Sequence, residues 1–326
     1  MEITDFTADP RFLLMHSINR HIIEHPLSKD VNGIQVQYKA GLELLPAFSG
    51  KALLPTVYDF VMEADLTTNT EIRGSIERNL FFLGTYEPGT LATLKMMLRS
   101  FATPPTFVDV GAHTGLMSIF AARNGAKQVF AFEPNPQTYQ TLLANIAHNT
   151  ITSITPIPFA LGEQRQTVSL KLHEHSTGAT RIAESPDEAD VVGIAMDTLD
   201  SQAKRHAIRP NIILVDVEDY EAAVLAGAEN TIAAHKPDII AEYTPFDMQK
   251  SRPLLTLLDS HGYIPYILAN TRHFLGQLIP FESAPLTNLS DNLFCFTPER
   301  ARELGLPLPG KQQATYETFT YFGPAY

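Results

Sequence analysis

The segment Asp109-Val110-Gly111-Ala112-His113-Thr114-Gly115 follows an apolar run and precedes a helical pattern. A glycine at the end of a strand permits a sharp turn and a close approach to the backbone. A second glycine at a helix start leaves free N–H groups that can receive a polar or anionic group. The spacing is not G-x-G-x-x-G, because His113 stands where the second glycine would be. Asp109 would repel a pyrophosphate and attract an ammonium group. Glu133, 22 residues beyond Gly111, closes the next apolar run as Phe132-Glu133-Pro134. A carboxylate at that offset can accept both hydroxyls of a ribose. Loop and acid together predict a ligand with an amino-acid end and a nucleoside end.

A second group of acids lies downstream: Asp216, Glu218, Asp219 and Glu242, each at or just past the end of an apolar run. Such carboxylates suit a general base for an alcohol that must lose its proton. On a strand, Asp216 and Glu218 would share one face, with Val217 between them. A carboxylate cluster could also hold Mg²⁺. The equal-face spacing in His173-Glu174-His175 invites a metal reading, but no third ligand is evident, and a solvated hairpin is the expectation. His16, His21 and His25 read as surface or satisfied core histidines.

The elements that would position these residues begin at Thr106. Strand patterns at 106–110, 128–133, 154–161, 211–217 and 238–242 alternate with helical ones at 115–124, 136–149, 220–234 and 254–261. Runs at 263–268 and 292–297 close the series, and 167–173 and 191–196 read as extra antiparallel strands around a polar loop. Repeated βα units imply an α/β fold with a doubly wound, mainly parallel sheet and helices on both faces. Ligands of such sheets bind at the carboxyl ends of the strands, just after Val110, Phe132, Phe159, Val215 and Ala241.

The preceding hundred residues read differently. Met15, Ile18 and Ile22 suggest an amphipathic helix, and Ile34, Val36 and Tyr38 a half-buried strand. Further helices are expected over 56–65, 71–83 and 89–101, the last stopped by Pro104-Pro105. The chain is therefore divided into a mostly helical extension at 1–83, a core unit at 84–300 and an aromatic tail at 301–326 that includes Tyr316, Phe319, Tyr321, Phe322 and Tyr326. The extension is expected to serve as a cap or a subunit interface, and the tail to dock on the core or on a second copy, so a homo-oligomer is compatible with the sequence.

Three segments carry a family resemblance. They are Phe107 to Gly115, then Phe130-Ala131-Phe132-Glu133-Pro134-Asn135-Pro136, then Leu142-Leu143-Ala144-Asn145-Ile146. Together they resemble a class I methyltransferase using S-adenosylmethionine, and more narrowly the FkbM family. Gly84-Thr85-Tyr86-Glu87-Pro88, Asp216-Val217-Glu218, Val224-Leu225-Ala226-Gly227-Ala228 and Ile239-Ile240-Ala241-Glu242 are similar to further motifs of that family. The resemblance implies a Rossmann-like fold with a seven-stranded sheet whose last strand is antiparallel. It implies O-methylation of a hydroxyl on a small molecule or glycan. Asp109, Gly111, Ala112, His113 and Gly115 would take the methionine part of the cofactor, and Glu133 and Pro134 its ribose. Ala160 and Leu161 would edge the adenine, while Tyr86 and Glu87 would close the pocket. Asp216, Glu218 and Glu242 are the candidate bases. Three positions depart from the family: His113 for Asn, Leu214 for Lys, and Asp219 for the glycine after Glu218. The last two keep alive a binding protein without turnover, and an NAD(P) oxidoreductase is the enzymatic alternative.

Composition narrows the partners. A net charge of −12 counts against duplex nucleic acid or an anionic membrane, which need clustered cations. Cys295 is the single cysteine, which excludes an intrachain disulfide and a multi-cysteine zinc site. The start Met1-Glu2-Ile3-Thr4-Asp5 lacks the basic-then-apolar order of a signal peptide, and no stretch of about 18 apolar residues occurs. A cytoplasmic protein is the resulting expectation. Arg181, beside the polar segment Ser176-Thr177-Gly178-Ala179-Thr180, is read as a surface arginine or as a contact for an acidic group on the acceptor.

Overall fold

A computed structural model describes residues 3–24, 44–67, 76–172, 180–183, 191–244, 247–269, 277–284 and 289–309. Expectations for the Ile34–Tyr38 strand, for His25, for His173-Glu174-His175, for 176–179 and for the aromatic tail lie outside the described residues.

The central sheet has eight strands. Five run parallel, in the spatial order β6 (Ile154–Ile157), β5 (Gln128–Phe132), β4 (Thr106–Val110), β11 (Ile212–Val215) and β12 (Asp238–Glu242). Beyond β12, β15 (Leu289–Phe296) is antiparallel, then β13 (Ile264–Ala269), then β14 (Gln277–Pro280). Seven of these strands follow the expected arrangement, including the reversed last strand. The eighth, β14, forms a hairpin partner for β13 that the sequence pattern did not reveal.

Alternate residues of each strand enter different cores, as the period of two requires. Phe107, Ala131, Ile212, Leu214 and Ile240 face one side. There they meet α3 (Pro88–Arg99), α4 (Leu116–Arg123) and α5 (Pro136–His148). Val108, Val110, Phe132, Val215 and Ala241 face the other side. They meet α6 (Leu199–His206), α7 (Glu221–Ala226), α8 (Glu229–His235) and α9 (Met248–Ser260). The expected helix over 220–234 is thus two short helices. The expected strand over 154–161 is also divided: β6 stays in the main sheet, while β7 (Ala160–Leu161) joins a four-stranded sheet with β10 (Val191–Asp197), β8 (Gln166–Lys171) and β9 (Arg181–Ile182).

The N-terminal region mixes helix and strand. α1 (Pro10–Glu24) and α2 (Ile76–Leu83) flank a sheet of β1 (Ile3–Asp5), β2 (Lys51–Pro55) and β3 (Val61–Asp65). Expected as helix, residues 56–65 are instead a turn and a strand, because Val61 to Asp65 pair antiparallel with Lys51 to Pro55. Phe6, Phe12 and Leu54 belong to the same core as Phe107 and Phe294, so packing is continuous across residue 83. Asn145 on α5 and Asn149 just past its end, one turn apart, reach the free edge of β3. Asn145 Oδ1 accepts from Glu63 N–H at 2.6 Å, and Asn149 Oδ1 from Val61 N–H at 3.0 Å. The two amides replace a neighbouring strand, which satisfies buried edge groups that would otherwise cost free energy.

Candidate active site

A cleft opens at the carboxyl ends of β4, β5, β11 and β12, roofed by β8 and β9 and by the segment ahead of α3. Of the sequence-predicted residues, Glu87, Gly111, His113, Glu133, Pro134, Ala160, Leu161, Asp216, Glu218 and Glu242 line it. Tyr86, Phe159 and Arg181 line it as well. Asp109, Ala112 and Gly115 do not reach its wall; they shape the loop from beneath.

The loop is held by hydrogen bonds from several directions. Gly111 and Ala112 N–H both donate to Phe132 O, at 3.0 and 2.9 Å, and Gly115 N–H donates to Ala112 O at 2.8 Å. Asn145 Nδ2 donates to Thr114 O at 2.9 Å, so the amide that edges β3 also pins the loop. Gly111 has φ of +87°, and a Cβ there would lie 1.8 Å from the backbone O of Asp216. Its glycine requirement therefore comes from the close approach of two strand ends rather than from a ligand against the backbone. His113 has φ of +50°, a left-handed conformation that Asn, Asp and His tolerate better than other side chains. The departure from Asn thus preserves the turn.

Glu133 is buried, and both its oxygens are used: Oε2 accepts from His113 N–H at 2.9 Å and Oε1 from Asn135 N–H at 2.8 Å. A carboxylate offers about four lone-pair positions, so acceptor capacity remains for a diol. Burial nevertheless lifts its pKa to about 7. Asp109 lies under α4, where Ser118 Oγ donates to Oδ2 at 2.5 Å. Its Oδ1 is buried without a hydrogen-bond partner. Burial, aided by the charge on Asp216, raises this pKa to about 7.

Asp216 lies one residue past β11, and its N–H donates to Val110 O at 3.0 Å. The chain then turns through left-handed residues Glu218 (φ 53°) and Asp219 (φ 71°). The expectation that Asp216 and Glu218 share a strand face therefore fails, yet both still reach the cleft. Asp216 and Glu242 line the same cleft, near enough for their charges to interact. Burial pushes both upward, with the Asp216 charge as the next cause for Glu242. Burial and Asp216 also raise Glu218 to about 7 and Glu87 to about 8. Glu87 is tied to the last strand, since Asn292 Nδ2 donates to its Oε2 at 3.0 Å.

The two departures near this centre have local explanations. Leu214 is a buried core residue. Asp219 turns away to Lys250 Nζ at 2.5 Å and Thr244 Oγ1 at 3.0 Å, and the Lys250 hydrogen bond lowers its pKa. Asp219 keeps the left-handed backbone that a glycine would take at this position.

Glu77, Glu221, Asp291 and Asn292 were not singled out in the sequence. Glu77 lines the cleft and bears on His113, Glu221 Oε1 accepts from Val217 N–H at 3.0 Å, and Asp291 raises Asp216. No local motif marks them, because tertiary contacts bring them in from separate elements. Among the described residues, no three His, Cys, Asp or Glu side chains converge on a metal position, and no helix is long and apolar enough to cross a membrane.

The acids make stability depend on pH. Asp109, Glu133, Glu218 and Glu221 are raised to about 7 and Glu87 to about 8, each chiefly by burial. With unfolded values near ~4, the unfolded chain gives up these protons first, so stability is lost as pH rises from about 4 to about 8. His16 acts oppositely: burial lowers it to about 4, so its contribution is full above about 6.5 and lost as pH falls through about 4. The raised acids, which also include Asp216, Asp238 and Glu242, outnumber the two lowered histidines, His16 and His113. The thermal midpoint of the ligand-free protein is expected to fall between about pH 5 and pH 8; a midpoint that is flat or rising in a thermal scan would contradict this account.

Three comparisons bear on identity. The methyltransferase FkbM domain description matches residues 109–265. Among curated proteins, the chain is similar to hexuronic acid methyltransferase AglP of Haloferax volcanii, 23% identical over 168 residues, covering 52% of this chain and 68% of the relative. Among solved structures, it is similar to methyltransferase FkbM of Methylobacillus flagellatus (18% identity, TM-score 0.40), covering 67% of this chain and 52% of that one. It thus spans about half the length of that structure. It is also similar to a SAM-dependent methyltransferase of Agrobacterium tumefaciens (11% identity, TM-score 0.41, covering 78% and 72% of the two chains). Residues 109–265, just under half of the chain, are thus where the likeness to the FkbM methyltransferase domain lies.

Proposed function

We propose that the protein is an S-adenosylmethionine-dependent O-methyltransferase acting on a hydroxyl of a glycan or small molecule. The observation that carries this reading is the pairing of the 111–115 turn with Glu133 across one cleft, above the buried, partnerless Oδ1 of Asp109. The residues fit the cofactor's three parts. Glu133 has spare acceptor positions for the ribose hydroxyls, with Pro134 beside it. Phe159, Ala160 and Leu161 offer an apolar edge for the adenine. Gly111 and His113 suit the amino-acid end, with Asp109, Ala112 and Gly115 shaping the loop beneath them, and Tyr86 and Glu87 cover it. A pyrophosphate would meet this ring of carboxylates instead, which disfavours NAD(P). The name of the curated relative, a hexuronic acid methyltransferase, supports a glycan acceptor.

The cofactor supplies a methyl group activated on a sulfonium. The protein's work is to hold the reacting atoms in line, and alignment of this kind is worth up to roughly 7–11 kcal/mol in favourable models. Asp216, Glu218 and Glu242 stand where a carboxylate could take the acceptor's proton, a contribution of about 10²–10⁴-fold for positioned bases. The acidic wall also complements a cationic ligand.

Calorimetry with S-adenosylmethionine and with NADH tests the reading. Binding of the first is expected; NADH binding without it would overturn the proposal. Glu133→Ala is expected to weaken cofactor binding by roughly 1.5–3 kcal/mol, the range for charge-assisted hydrogen bonds. An unchanged dissociation constant would remove Glu133 from the ribose site.

A further inference from the structure

Glu87 stands in the cleft on a backbone that its neighbours must hold in place. Its φ of 45° is left-handed, and Pro88, next in the chain, favours an extended residue at this position. Such a conformation costs free energy and persists only where the surroundings over-determine it. On one side, Asn292 Nδ2 of β15 holds the Glu87 carboxyl group at 3.0 Å. On the other, the grip comes from residues far earlier in the chain. Asn19 Nδ2 on α1 donates to Leu83 O at 3.1 Å, a buried bond. Val57 N–H donates to Gly84 O at 2.9 Å. The Tyr58 hydroxyl and Thr85 Oγ1 are hydrogen-bonded at 2.8 Å, and Thr85 is buried. Gly84 has φ of +68°, and a Cβ on it would lie 2.7 Å from the His16 ring. Thus α1 and the turn between β2 and β3 fix Leu83, Gly84 and Thr85, immediately ahead of Tyr86 and Glu87, which line the cleft.

We propose that Tyr58 is a positioning residue for the cofactor: through Thr85, it sets Tyr86 and Glu87 over the amino-acid end of S-adenosylmethionine. This rests on the cofactor reading above. Neither Tyr58 nor Thr85 lines the cleft, so both act through the residues that follow Thr85. The tyrosine is anchored independently of that bond. Its ring meets Phe120 edge-on at 5.0 Å, and its N–H donates to Thr56 Oγ1 at 3.3 Å. Phe120 lies on α4, the helix that opens directly from the 111–115 turn. One side chain therefore touches both the helix behind the cofactor loop and the segment that closes over it. Without the hydroxyl, the ring keeps its seat but Thr85 loses its partner. Tyr86 and Glu87 would then sample other arrangements, and affinity falls by the fraction of protein left in the fitting one.

Titration calorimetry with S-adenosylmethionine, well below the thermal midpoint of each variant, tests this role. Tyr58→Phe and Thr85→Val each remove one end of the bond, and circular dichroism checks that they fold. Each is expected to raise Kd by about 3- to 10-fold, the factor that corresponds to one neutral hydrogen bond. The double variant should bind no more weakly than the weaker single one, because both ends belong to one interaction. Thr85→Ser keeps a hydroxyl and should stay close to the wild-type Kd. Asp59→Asn is the control: it disturbs an exposed pair with Arg20 at 2.7 Å in the same region and should leave Kd unchanged. Tyr58→Phe, the mildest change, decides. An unchanged Kd in that variant would overturn the proposal even with a lower thermal midpoint, because the bond would then serve stability alone. Equal weakening by Asp59→Asn would also overturn it, since any loosening of the region would suffice. In both cases the cofactor reading stands. Failure of the wild-type protein to bind S-adenosylmethionine would overturn that reading, and with it the role of Tyr58.

Discussion

Replacing Asp216 by Asn is expected to lower kcat by about 10²–10⁴-fold, the range over which a positioned base contributes. Asn keeps the shape and the hydrogen-bonding reach but cannot take a proton at neutral pH. The fold should survive, because it is the backbone of Asp216 that contacts its neighbours: its N–H donates to Val110 O, and its carbonyl abuts Gly111. Cofactor affinity should change far less than kcat. Asp219→Asn is the matched control. Its carboxylate pairs with Lys250 at a partly exposed position, and the loss of such a pair typically costs about 0–1 kcal/mol. Steady-state rates on a panel of uronic-acid glycans, with methyl incorporation as the readout, separate the two. Equal rates for Asp216→Asn and wild type would remove Asp216 from the chemistry.

Gly111→Ala is expected to be the most damaging single methyl addition in the loop. The new Cβ would sit 1.8 Å from a carbonyl oxygen, at a φ of +87°. Both penalties act together, and the obstacle is backbone, which cannot rotate away. A loss of roughly 3–5 kcal/mol of stability follows from mechanisms of this kind. Gly115→Ala provides the contrast. Its φ of +94° is equally left-handed, but the nearest atom, 2.5 Å away, is the terminal Cδ1 of Leu142. A rotatable methyl can shift, so only about 1–2 kcal/mol of backbone strain remains. Urea denaturation of the two variants checks the ranking; a smaller loss for Gly111→Ala than for Gly115→Ala would refute it.

Much of the architecture was legible because the βα units announce themselves locally. Asp109 to Gly115 and Phe132-Glu133-Pro134 lie at strand ends, and strand ends of a parallel sheet converge on one edge. That logic brought Asp216 and Glu242 to the same cleft even though the turn after Asp216 was misread. The left-handed φ of Glu218 and Asp219 was hidden because acidic side chains stand where a glycine would have signalled it. The N-terminal region was less legible. Residues 56–65 hold enough apolar side chains for a helix, and only pairing with Lys51 to Pro55 makes Val61 to Asp65 a strand. Such pairing outweighs propensity and leaves no mark within the segment itself. Asn145 illustrates the same limit. Its place in the family motif was visible, but not its double role bridging Thr114 and Glu63.

The position of β15 has a consequence for how the chain is made. Among the described residues it is the last strand in sequence, yet it is inserted between β12 and β13. Until a ribosome has extruded it, those two strands face each other across a gap with their edges unpaired, a state open to adhesion between nascent chains. Because β15 runs backwards, its beginning lies beside Glu242, and Asn292 from that beginning grips Glu87, made 205 residues earlier. Assembly of the acidic wall therefore waits until β15 has been made.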